Sequence, residues 1–190
     1  MKMFTNEDIS RSLEVLQDGG LILYPTDTIW GIGCDATNPD SVKRIYDIKG
    51  RSDSKSMLIL LDSESRLTGY VKRVPEITWE LIDASIKPLT IIYPGAKNIA
   101  RNLISEDGSI GIRIVKDDFC KELIRRYRKP IVSTSANFSG RKSPSKFNEI
   151  DPEICRMVDY VVKWRQDDNQ KGTASSIIKV GPGGLIEIIR

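Results

Sequence analysis

Every apolar run in this chain is short enough to be one strand of a sheet, and helical periodicity fills many of the gaps between the runs. LILY (21–24), MLILL (57–61), PLTIIY (88–93), SIGIRIV (109–115), PIVST (130–134), DYVVKW (159–164), SSIIKV (175–180) and LIEII (185–189) read as strands. Residues 5–18 have the spacing of a helix. Thr5 is its cap, Asp8 sits at capping-box distance, Ile9, Leu13 and Leu16 share a face, and Gly19-Gly20 stops it. A second helix is expected from Asn38-Pro39, a cap followed by a first-turn proline, to Lys49. Helical patterns return at 63–71, 75–85 and 117–128. Some strands follow one another directly, as in the hairpin suggested by GPGG (181–184), and others are separated by a helix. That mixture predicts an α+β fold, a mixed sheet covered by helices rather than a simple doubly wound parallel sheet. WRQDDNQKGTA (164–174) is polar and unpatterned and reads as a mobile loop.

With 190 residues, no repeat and no linker, the expectation is one domain spanning 1–190. The opening MKMFTNEDIS lacks the apolar core of a signal peptide, and no run approaches a membrane span. Cys34, Cys120 and Cys155 are odd in number and far apart, without metal-ligand spacing, so a reducing cytoplasm and no protein-bound metal are expected. The chain has no histidine. This excludes Ser-His and Cys-His nucleophile pairs, histidine-ligated metals and the side chain that most often moves protons near neutral pH. An enzyme of this composition works by positioning and by charge. The net charge of +3 is unevenly spread: within 121–146, Lys121, Arg125, Arg126, Arg128, Lys129, Arg141, Lys142 and Lys146 face Glu122 alone. Such an excess suits an anionic ligand or nucleic acid, the plainer alternative for Arg125, Arg126 and Arg128 being a solvated basic helix face.

Three stretches concentrate polar groups where apolar runs end. In YPTDTIWGIG (24–33), Thr26, Asp27 and Thr28 follow a strand, and Gly31 and Gly33 permit close approach of the backbone to a ligand; a plain Asx-type turn would use the same residues. IKGRSDSK (48–55) brings Lys49, Arg51 and Lys55 close in sequence. Alternation in an extended segment would put them on one side, where three cations call for an anion such as phosphate; the alternative is a solvated loop. PIVSTSANFSG (130–140) ends in Ser133, Thr134, Ser135, Asn137 and Ser139, more hydroxyl and amide groups than a turn needs. They suit ribose hydroxyls, phosphate oxygens or a small polar substrate. Neither the P-loop pattern nor the dinucleotide GxGxxG occurs.

In this order the stretches resemble the YrdC-like family of threonylcarbamoyl-AMP synthases, whose pattern is YPTDTxxGLG, a K-x-R pair, VSTSANxSG and an STI strand near the end. Here they stand as YPTDTIWGIG, KGR, IVSTSANFSG and SSIIKV, and the resemblance covers nearly the whole chain in its short, single-domain form. It implies a twisted mixed sheet with a concave, basic cavity. It also implies an enzyme that joins L-threonine, bicarbonate and ATP, accompanied by Mg²⁺, into threonylcarbamoyl-AMP and pyrophosphate. Partner proteins would then pass the threonylcarbamoyl group to tRNA, so the partners the resemblance implies are those proteins and tRNA itself, with RNA binding by the chain.

Matched position by position, Lys49, Arg51, Ser135 and Asn137 fall on the family's nucleotide and phosphate tetrad, with Lys55 and Ser143 as further contacts and Arg190 closing over the nucleotide. Thr28, Arg113, Ser133 and Ser175 or Ser176 fall on the threonine side, Arg113 meeting the carboxylate. No protein nucleophile is implied, because the threonine amine and then its carbamate do the attacking. The sequence departs from the family at KSM (55–57), where KPL is usual, at VKDDF (115–119), and at Leu60, where some members carry histidine. The alternative is a YciO-like protein that binds nucleotide or RNA without efficient synthase activity.

Overall fold

The computed structural model describes residues 4–50, 57–168 and 172–190. Helix α1 (Asn6–Gln17) begins where Thr5 Oγ1 accepts from the Asp8 backbone N–H at 3.2 Å, and it turns Ile9 and Leu16 inward. Strands β1 (Ile22–Tyr24) and β2 (Gly31–Gly33) follow. Helix α2 (Pro39–Lys49) is capped by Asn38 Oδ1, which accepts from the Asp40 and Ser41 N–H groups, and ends on Gly50 at φ 59°. Then come β3 (Leu58–Leu61), the single-turn α3 (Leu67–Tyr70), α4 (Ile77–Ala84), β4 (Leu89–Tyr93) and β5 (Ile110–Ile114). The chain continues with α5 (Asp118–Tyr127), β6 (Ile131–Ser135), α6 (Pro152–Met157), β7 (Tyr160–Val161), β8 (Ser176–Val180) and β9 (Ile186–Ile188).

Among the described residues the nine strands form one sheet in the order β7-β1-β2-β6-β3-β5-β4-β8-β9. The pairs β1–β7, β3–β5 and β4–β8 are parallel and the others antiparallel, which is the mixed sheet expected from the alternation of direct and helical connections. Strand alternation sends side chains to two cores. Leu23, Ile32, Ile59, Leu61, Ile112 and Val132 pack on the face covered by α2, with Val42 and Ile45. Ile22, Tyr24, Leu60 and Ile131 pack on the other, with Ile9 and Leu16 of α1 and Phe119, Leu123 and Ile124 of α5.

That second face positions the site. The register pairs Leu60 with Arg113, Arg113 with Thr90, and Thr90 with Ile177, so these residues share the face that α1 and α5 cover as far as β3. Beyond β3 it lines open space, with Gly111, Thr90, Ile92, Ile177 and Lys179 along a groove. No helix among the described residues is long and apolar enough to cross a membrane.

Several expectations are corrected by the structure. Lys49 ends a helix, so strand alternation does not govern where it points. The GIG of β2 and the six-residue α6 carry too few apolar residues to announce themselves in sequence. DYVVKW contracts to a two-residue strand, because only Ile22 and Leu23 lie beside it. Of the 164–174 stretch, residues 169–171 lie outside the described residues; on either side of them Arg165 pairs with Asp117 and Asp168, and the Gly172 N–H is donated to Ser145 O. Arg125 and Arg126 both pair with Glu122 on the exposed side of α5, which is the solvated helix face.

Candidate active site

Thr28, Trp30, Gly31, Met57, Arg113, Ser133, Ser135, Ser143, Ser175 and Arg190 line a cavity of about 680 Å³, counting its open mouth. It lies where the end of β6 meets the turn after β1 and the first residues of β8. Gly31 pairs with Ser135 across β2 and β6, and a Cβ on Gly31 would stand 3.2 Å from Ser133 Oγ and Thr134 O. Glycine therefore keeps the floor flat beneath the hydroxyls of β6.

Below that floor, Lys49 is fully buried. Its Nζ donates to Ser135 O at 2.6 Å and to Asn137 Oδ1 at 3.2 Å, with Ser135 Oγ at 3.4 Å. Asn137 Nδ2 donates onward to Arg141 O at 2.6 Å and Phe138 O at 3.1 Å, and the Ser139 N–H returns to Lys49 O at 3.0 Å. Lys49, Ser135 and Asn137 are thus brought together, and the buried ammonium places positive charge directly beneath Ser135.

Arg113 is 3% exposed at the centre of the sheet. Its Nη2 lies 3.2 Å from Asp27 Oδ1, near enough for an ion pair but without the alignment of a hydrogen bond. Arg113 Nε and Asp27 Oδ1 are accordingly both buried without a hydrogen-bond partner. The ion pair is a charge contact between two buried groups. Asp27 Oδ2 accepts from the Lys116 N–H at 3.0 Å, which fixes the carboxylate. Thr28 Oγ1 is 2.9 Å from Thr26 Oγ1, and Thr26 also donates to Ile29 O at 2.7 Å.

The two serines offered for one position separate by strand alternation. Ser175 is buried, bonds Thr90 Oγ1 at 2.8 Å and lines the cavity, whereas Ser176 is exposed and points away from it. Arg190 donates from Nε and Nη2 to Ser175 O at 3.2 and 3.0 Å. Ser143 is exposed at the mouth, and Ser133 is buried on the floor. Arg51 and Lys55 lie outside the described residues. Trp30 is 5% exposed and lines the cavity, its ring 4.8 Å from that of Phe147.

Burial pushes the Cys34 and Cys120 thiols well up, so both stay neutral rather than serving as nucleophiles. Burial also raises the Asp117 carboxyl, against the Cys120 N–H and the nearby Arg165, which favour its charged form. Among the described residues no three acidic or cysteine side chains gather as a metal site. Sequence reasoning named Asp27 as a polar group of the turn but missed its place beneath Arg113, and it missed Gly172 against the Thr28 carbonyl and Ala174 in the cavity lining. The signal for Asp27 was its place between Thr26 and Thr28; for Gly172 there was none.

The sequence model of the Sua5/YciO/YrdC family, described as "Telomere recombination", matches residues 14–190. A protein of Methanocaldococcus jannaschii named "Putative threonylcarbamoyl-AMP synthase" is 33% identical over 96% of this chain and 86% of its own length. One of Pseudoalteromonas translucida named "Threonylcarbamoyl-AMP synthase" is 29% identical over 97% of this chain and 98% of its own. The crystal structure of P. abyssi Sua5 complexed with L-threonine superposes with a TM-score of 0.84 at 23% identity, over 94% of this chain and 52% of that one, a likeness of fold.

Proposed function

The chain belongs to the Sua5/YciO/YrdC family, and from the cavity it builds we propose that it is a threonylcarbamoyl-AMP synthase, forming threonylcarbamoyl-AMP and pyrophosphate from L-threonine, bicarbonate and ATP. The observation that carries this reading is Arg113, a buried guanidinium that lines a hydroxyl-rich cavity. A substrate carboxylate satisfies such a group. Thr28, Ser133 and Ser175 surround the space beside it and hold the rest of the amino acid.

Ser135, Ser143 and Arg190 face the nucleotide, with the Lys49 charge beneath Ser135 favouring its phosphates. Arg51 and Lys55 are proposed to add further phosphate contacts. The threonine amine attacks the carbon of carbon dioxide, released from bicarbonate, and loses a proton to form a carbamate. A carbamate oxygen then attacks the α-phosphorus of ATP, the bond to the β-phosphate oxygen breaks, and pyrophosphate leaves. Neither step uses a protein nucleophile. Holding two reactants in line can supply about 7–11 kcal/mol of the barrier, and one aimed donor about 3–4 kcal/mol. Neutralisation of phosphate charge would be supplied by a Mg²⁺ ion bound to ATP. A lining rich in hydroxyls rather than carboxylates fits an ion that keeps its waters and binds through phosphate.

The product serves partner proteins that modify tRNA, and an ATP-dependent reaction in a protein with three free cysteines belongs in the cytoplasm. Pyrophosphate release from purified protein, ATP and Mg²⁺ tests the reading. Release that requires both L-threonine and bicarbonate is expected, and release indifferent to threonine refutes it.

A further inference from the structure

Three segments of the cavity wall converge on Gly172. Its N–H donates to Ser145 O at 3.1 Å, on the turn that carries the cavity residue Ser143. A Cβ built on it would stand 1.9 Å from Thr28 O and 3.2 Å from Ile29 Cγ2, so no side chain fits between this residue and the Thr28 carbonyl. Two residues further on, Ala174 and Ser175 line the cavity themselves. Upstream, Arg165 Nη1 donates to Thr26 O at 3.2 Å and pairs with Asp117 Oδ2 at 3.2 Å. Asp117 caps α5 through the Cys120 N–H at 2.9 Å, so Arg165 ties the Thr26 carbonyl to the start of α5. Thr26 holds Thr28 from the other side through the 2.9 Å contact between their hydroxyls and the Thr28 N–H, donated at 3.1 Å.

We propose that Gly172 and Arg165 are positioning residues of the amino-acid subsite: by clamping the Thr26–Thr28 backbone from behind, they set where the Thr28 hydroxyl meets L-threonine. This rests on the function proposed above. Any L side chain at 172 must drive Thr28 and Ile29 forward, and a displacement of about 1 Å at a contact group can cost about a hundredfold.

The test measures L-threonine and ATP dissociation constants, and hydrogen exchange of the 28–31 amides without ligand, for wild type, Gly172→Ala, Arg165→Ala and Arg165→Lys. The threonine constant is expected to rise about tenfold or more in Gly172→Ala and Arg165→Ala while the ATP constant moves less than about twofold, with Arg165→Lys between. Exchange at 28–31 is expected to quicken. Unchanged threonine affinity in both variants overturns the proposal, and so does an equal loss for threonine and ATP, which would mark a merely structural role. Wild-type protein that binds no threonine refutes the proposed function instead. In that event unchanged exchange at 28–31 in the variants still overturns the clamp, and quickened exchange upholds it.

Discussion

Replacing Asn137 with alanine should cost stability as well as activity. Asn137 is 9% exposed, and its amide joins two parts of the chain. Oδ1 accepts from the buried Lys49 ammonium at 3.2 Å, and Nδ2 donates to Arg141 O at 2.6 Å and Phe138 O at 3.1 Å. The family motif alone would give this residue a ligand to touch and leave the fold intact without it. The geometry gives it the turn after β6 to hold. A hydrogen bond to a charged group contributes about 1.5–3 kcal/mol and a neutral one about 1 kcal/mol, so Asn137→Ala, which loses one of the first kind and two of the second, should lose about 3.5–5 kcal/mol. In a chain of this length each kcal/mol moves the melting temperature by about 2–4 °C, so a fall of about 7–20 °C is expected. The assay is thermal unfolding without ligand, beside Ser143→Ala at the exposed mouth, which should melt like wild type. An Asn137→Ala protein melting within about 2 °C of wild type would refute the assignment of Asn137 to the turn.

Arg113→Ala strands the buried Asp27 carboxylate and should cost about 3–5 kcal/mol, whereas Asp27→Ala/Arg113→Ala should recover much of that loss; urea titration of the three proteins checks it, and a double variant no better than Arg113→Ala contradicts the pairing. Burial alone would raise Asp35, but hydrogen bonds from Lys129, Thr37 and Tyr127 hold its carboxyl below the usual range. Its stabilisation is therefore present above the unfolded carboxylate value of about 4 and is lost as the pH falls through the lower folded value. Lys129→Met should move the acid-unfolding midpoint, followed by circular dichroism, to higher pH, and identical midpoints contradict this. Gly33→Ala would place a methyl 2.6 Å from the Tyr24 ring and 2.7 Å from Val132 O, an overpacking cost of about 1–3 kcal/mol seen as a lower melting temperature; an unchanged one would mean that β1 and β6 yield freely.

Local signals carried far. Thr5, Asn38 and Pro39 mark helix starts because a cap and a first-turn proline act within a few residues, and GPGG marks the β8–β9 hairpin for the same reason. What stayed hidden depends on pairing across the fold. Ser175 and Ser176 are separated only by the phase of β8 against β4. Arg113 shows in sequence as a cation inside a strand, but its buried ion pair with Asp27 exists only once β5 passes the turn after β1. Lys49 likewise reads as one of three neighbouring cations, yet its position at the end of α2 sends it beneath Ser135. β2 escapes notice because Gly31 and Gly33, chosen for close approach to β6 and Tyr24, leave a single apolar residue to signal a strand.

The most direct test of the proposed chemistry follows carbon. Purified protein is given ATP, Mg²⁺, L-threonine and ¹³C-bicarbonate, and the nucleotide fraction is analysed by mass spectrometry. An adenylate carrying both threonine and the labelled carbonyl, lost in Arg113→Ala, is the expected result; pyrophosphate without a labelled adenylate, or no turnover by protein that binds both ATP and threonine, would contradict it.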